Sequence, residues 1–211
     1  MEITIGKLKV SGAALLALAA AYFFDSGGTL FVALFAAAVH ETGHYAALRL
    51  FRGRISELKL ELWGFRMRAD SRMSYPAEIV TAAAGPAASL LLAVAAALVG
   101  RYFYCQQGYV LSGVSLVFCV FNMLPSLPLD GGKVVYAWAA TCFGLDTAER
   151  LACILSCVVI LVLLLAGMML MLKTGINFTL LLAALWLLIC YCKRSGIGIK
   201  SKRKTTEVKH G

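Results

Sequence analysis

The chain has 211 residues, of which 61% are apolar and 15% charged, and it carries a net charge of +9. Soluble domains run at about 45–50% apolar and about 25% charged residues, so one small water-facing core cannot hold this much apolar side chain. The positive charges lie between and after the apolar runs, which fits an anionic inner membrane leaflet and argues against nucleic acid as the partner.

A helix needs about 20 apolar residues to cross the hydrocarbon core. The first candidate, residues 10–24, is a little short and follows Lys7 and Lys9. Phe23-Phe24-Asp25 at its end lacks the small residues of a signal-peptide cleavage site, so it reads as a retained span. Residues 30–51 form a second run, interrupted by His40, Glu41 and His44. A third covers residues 77–99, and a fourth runs from 109 to about 124 and stops at Pro125. Residues 130–145 read as a short partial helix before the fifth span at 151–172 and the sixth at 178–191. With an inner N-terminus, seventeen Lys and Arg fall on inner segments and two, Arg101 and Lys173, on outer ones. That asymmetry places both termini in the cytosol. The expected fold is an all-α polytopic membrane protein with about six transmembrane helices.

The inner loop between the second and third spans differs in kind. Leu58, Leu60 and Leu62 alternate with Lys59 and Glu61. After Trp63-Gly64, Phe65, Met67 and Ala69 alternate with Arg66, Arg68 and Asp70. Period-2 alternation on both sides of a glycine reads as a small amphipathic β-hairpin on the cytosolic side. The seven cysteines lie mostly inside apolar runs, where cysteine acts as a small hydrophobe, and they imply no disulfide framework. Seven Lys and Arg in residues 193–209 read as a cytosolic anchor.

Chemistry concentrates at His40-Glu41-Thr42-Gly43-His44. Two histidines four apart share one helix face and can hold one Zn²⁺. Glu41, beside the first, is placed to take a proton from water polarised by that ion. Three ionisable residues inside an apolar helix cost several kcal/mol unless paired or metal-bound. The alternative is a polar cluster lining an ion path in a transporter or channel. Two histidines leave a protein ligand missing. Of the eleven acids, Asp130 stands out, because it follows two prolines and precedes two glycines in the stretch that begins at Asn122 and ends at Gly132. Irregular backbone at membrane depth is tolerated where it is buried or lines a wet cavity, and an acid there can reach a metal on another helix. Taken alone, Asp130 reads equally as the N-cap of the next helix.

The His-Glu-x-x-His motif, together with the Asn-x-x-Pro-x-x-Pro-Leu-Asp-Gly-Gly stretch two spans later, resembles the paired signature of the site-2 protease family of intramembrane zinc metalloproteases. Ala84-Gly85-Pro86 in the third span resembles a further family feature. The resemblance runs from about residue 13 to residue 193. It is nearest to the bacterial branch that includes the sporulation protease for a pro-sigma factor, without the CBS domain of that protease or a PDZ domain. It implies an endopeptidase domain at 1–195 with a disordered basic tail at 196–211, in a bacterial cytoplasmic membrane. It implies one Zn²⁺ per chain on His40, His44 and Asp130, with Glu41 as general base and Asn122 binding substrate or transition state. The implied substrate is a membrane protein such as a membrane-bound transcription factor, an anti-sigma factor or a pro-sigma factor, cut near the cytosolic face. A prenyl-protein protease also uses His-Glu-x-x-His, but the Leu-Asp-Gly-Gly stretch argues against it.

Overall fold

The structure, a computed structural model, describes residues 25, 27–51, 73–175 and 178–193 with their side chains. It describes residues 2–5, 8–11, 55–61, 64–69 and 194–208 as backbone alone. Six helices are described: α1 (Thr29–Leu50), α2 (Tyr75–Phe103), α3 (Gln106–Asn122), α4 (Asp130–Phe143), α5 (Leu145–Thr174) and α6 (Thr179–Val208). Four strands are described as well: β1 (Glu2–Ile5), β2 (Leu8–Ser11), β3 (Ile55–Glu61) and β4 (Gly64–Ala69). They form one sheet in the order β1-β2-β3-β4, in which β2 runs parallel to β3 and the other pairs are antiparallel. Leu58 is in register with Met67, and Leu60 with Phe65.

The run expected to cross first, residues 10–24, begins inside β2, and residues 12–24 lie outside the described residues. Backbone helix in α6 continues through the basic stretch to Val208. Among the described residues, α2 and α5 are long and apolar enough to cross a membrane. In α1 the two histidines and Glu41 dilute the apolar run, and α3 has 17 residues.

Residue size sorts the interior from the surface. Fully covered positions are mostly small: Ala36, Ala137, Ala139, Ala148, Ala184, Ser89, Ser115 and Ser156. Large apolar side chains face outward instead, with Leu91 72% and Leu172 76% exposed. Water-soluble domains do the reverse. Helices in lipid gain little from hiding leucine and pack through small residues that let backbones approach. Gly43 shows this directly: a Cβ there would sit 2.5 Å from the Ala84 carbonyl oxygen and 2.7 Å from the Ala88 Cβ. The backbones of α1 and α2 therefore touch.

The bend between α3 and α4 is fastened from α5. Ser156 Oγ accepts the Leu127 N–H at 2.9 Å and donates to the Ala152 carbonyl at 2.6 Å. Leu129 packs with Ile160 and Leu187 in a buried cluster. At the other end of the site-bearing region, Asp25 accepts the N–H groups of Thr29 at 3.1 Å and Leu30 at 2.9 Å. A carboxylate there satisfies free donors at the start of α1 and complements the helix dipole. Those N–H bonds, Leu30 first, hold the Asp25 carboxyl below its ordinary pKa.

Candidate metal centre

His40 and His44 stand one turn apart on α1, as their spacing requires. Asp130 opens α4 and meets them from the other side. His40 Nε2 is 3.1 Å from Asp130 Oδ2, His44 Nε2 is 3.0 Å from the same oxygen, and the two Nε2 atoms are 3.1 Å apart. The three atoms form a nearly equilateral triangle. Their sequence separation is 90 residues for His40 and Asp130, so tertiary packing alone joins them.

Each imidazole is fixed from behind. His44 Nδ1 lies 2.8 Å from the Thr81 carbonyl oxygen, which can only accept, so Nδ1 carries the proton. In the neutral ring, Nε2 then presents a lone pair to the triangle. His40 Nδ1 is 2.9 Å from the hydroxyl of Ser89, a residue almost fully buried in α2. A ligand histidine held through its second nitrogen by a carbonyl or hydroxyl is the usual support for a metal. The rings stand nearly perpendicular, at 82°. Phe118 of α3 forms an apolar neighbour to His40, with ring centroids 6.1 Å apart.

Three glycines make the geometry attainable. A Cβ on Gly85 would collide with the His44 ring, reaching Nε2, Cε1 and Cδ2. Gly131 and Gly132 lie against the carbonyl groups of Met123 and Ser126, where a side chain would collide with backbone. These two glycines let the first turn of α4 tuck under the bend that precedes it. The Asp130 carboxyl is thereby aimed at α1.

This donor set fits a divalent zinc ion. Tetrahedral zinc with N and O ligands at about 2.0–2.1 Å holds them about 3.3 Å apart, close to the observed 3.0–3.1 Å. The carboxylate oxygen and the His44 nitrogen are both acceptors pointing at one spot, which calls for a cation between them. Two imidazoles and one carboxylate are the ligand types of a catalytic zinc site with an open fourth position.

The remaining expected residues are placed as follows. Glu41 is half-buried on α1 and within electrostatic reach of His40, His44, Asp130 and Lys133. Asn122 ends α3, and its Nδ2 donates to the Phe118 carbonyl at 3.0 Å, so that amide donor is turned toward its own helix. Three participants escape a sequence reading: Ser89, the Thr81 carbonyl and Lys133. Lys133 Nζ is 2.7 Å from Asp130 Oδ1. A lone serine four residues after Gly85, on the same helix face, was the one signal available for Ser89.

No family model matches the chain. It is 27% identical over 164 residues to a zinc metalloprotease of Methanocaldococcus jannaschii, a match covering 74% of this chain and 46% of that protein. It is 33% identical over 125 residues to a Synechocystis protein named as a candidate zinc metalloprotease, covering 52% of this chain and 33% of that one. The chain thus spans less than half the length of the curated relatives it matches. Among solved structures, the site-2 protease of M. jannaschii has the same fold, with a TM-score of 0.70 at 19% identity, over 92% of this chain and 94% of that one. The chain thus shares the fold of that structure and is similar in sequence to proteins named zinc metalloproteases.

Proposed function

We propose that this chain is an intramembrane zinc metalloendopeptidase that hydrolyses peptide bonds of membrane proteins near the cytosolic face. The convergence of His40 Nε2, His44 Nε2 and Asp130 Oδ2 on one point, with Glu41 beside it, carries this assignment. When bound, zinc acts as a Lewis acid that brings the pKa of water toward about 7 and polarises a peptide carbonyl. Glu41 takes the proton from the attacking water and returns it to the leaving amine. Asn122 binds the substrate backbone from the end of α3. One zinc is held per chain.

The proposed topology has six spans, with both termini in the cytosol. α1 descends from the outer side, and His44 lies six residues before its inner end at Leu50. At 1.5 Å per residue that is roughly 9 Å beneath the inner boundary of a core about 30 Å thick. α3 runs from the outer to the inner side, so the bend that delivers Asp130 arrives at the same depth. Water then reaches the site from the cytosol, and the released fragment leaves on that side. A peptide bond inside a helix is shielded, so the substrate must unwind, and its backbone groups then need partners. The β3–β4 strands offer an edge that can supply them by β-augmentation. The fitting substrates are single-span proteins such as membrane-bound transcription factors, anti-sigma factors or pro-sigma factors.

The test is co-expression with candidate single-span proteins, followed by mass spectrometry of the product termini. Cleavage near the cytosolic end of the substrate span, absent in Glu41→Gln, is expected. Cleavage in the outer half of the span, or equal cleavage by Glu41→Gln, would remove the proposal.

A further inference from the structure

The two oxygens of Asp130 have different partners. Oδ2 faces both histidines, whereas Oδ1 lies 2.7 Å from Lys133 Nζ, one turn along α4. The aspartate side chain is 6% exposed and the lysine side chain 49% exposed. Lysine–carboxylate pairs at i,i+3 are common on helix surfaces and contribute about 0–1 kcal/mol. This one differs in two respects. Its carboxylate is buried and its second oxygen is committed to the metal triangle. Its lysine also stands in the first turn of a helix, where the dipole disfavours a cation. A lysine kept at that end is explained by what it holds.

We infer that Lys133 is a positioning residue that keeps Asp130 a one-oxygen ligand. This rests on the metal-centre assignment above. Zinc with three protein ligand atoms keeps a fourth position open for water or substrate. A carboxylate can also chelate through both oxygens, and four protein atoms would then fill that position. The ammonium at Oδ1 blocks this second mode. Gly131 and Gly132 let the backbone beneath pack against the bend, both histidines face Oδ2, and Lys133 at Oδ1 holds the carboxyl against turning about its own axis.

The test uses the purified full chain loaded with cobalt(II), whose visible spectrum reports coordination number, with azide as a small anion that occupies an open position. Wild type should show an intense four-coordinate spectrum that shifts on adding azide. Lys133→Met should bind cobalt but show an altered spectrum, with a second carboxylate oxygen in place of the open position, that azide leaves unchanged. Its kcat should fall about 10–100-fold with KM nearly constant, and Lys133→Arg should restore most of both. Lys133→Ala reads the same way if the methionine variant folds poorly. A wild-type spectrum and azide response in either neutral variant would overturn the inference and leave the metal centre standing. Failure of wild type to bind one cobalt or zinc would instead overturn the metal centre, and the role of Lys133 with it.

Discussion

Replacing Gly85 with alanine puts a methyl group against the His44 ring. The added Cβ would lie 2.7 Å from Cδ2, with Nε2 and Cε1 nearer still, on the edge of the ring that carries the ligand nitrogen. Overpacking of this kind costs about 1–3 kcal/mol. Alanine in place of an interior helical glycine returns up to about 1 kcal/mol of helix propensity. The fold should therefore lose at most about 3 kcal/mol, and the damage should fall on the one group that can move. If the ring yields, the strain appears as lost metal affinity, about five- to 140-fold at 1.4 kcal/mol per decade. Chelator competition for zinc on detergent-purified protein measures this directly. Gly100→Ala is the control, because its Cβ would meet backbone atoms at 3.1–3.3 Å at the far end of the same helix. Wild-type zinc affinity in Gly85→Ala, with a wild-type melting temperature, would refute the claim that Gly85 makes room for the ligand ring.

Three further outcomes follow from the same geometry. Ser89→Ala removes the 2.9 Å partner of His40 Nδ1 and should weaken zinc about 10–100-fold, as read by the same competition; an unchanged affinity counts against Ser89 as a support. His44→Ala should lose most zinc by elemental analysis, whereas Glu41→Gln should keep it and lose cleavage, since it removes the base and not a ligand. Leu60→Pro or Met67→Pro, each removing a backbone donor from β3 or β4, should lower turnover without releasing zinc, and normal turnover in both would end the role proposed for these strands.

The three proposed ligands were legible in the sequence, the histidines from local spacing and Asp130 through the paired signature that the chain resembles. A four-residue spacing places His40 and His44 on one face, and an acid framed by two prolines and two glycines is conspicuous in an apolar chain. Their supports were not legible. Ser89 and the Thr81 carbonyl belong to α2, and no spacing rule links them to α1. The role of Gly85 depends on how closely two helices approach, which is a tertiary quantity. The limits of two helices were legible to within two residues: the run at 30–51 corresponds to Thr29–Leu50, and that at 130–145 to Asp130–Phe143. The extra turns of α5 before residue 151 carry Asp146, Glu149 and Arg150, which hydropathy alone assigns to a loop.

The central claim is that two imidazoles and one carboxylate hold a single zinc ion. X-ray absorption at the zinc edge of purified wild-type protein tests it most directly. The predicted spectrum has a four-coordinate shell of nitrogen and oxygen at about 2.0–2.1 Å, with the outer-shell scattering of two imidazoles and no sulfur. A sulfur shell at about 2.3 Å would move the metal to the cysteines, none of which is in a disulfide, and would contradict the account.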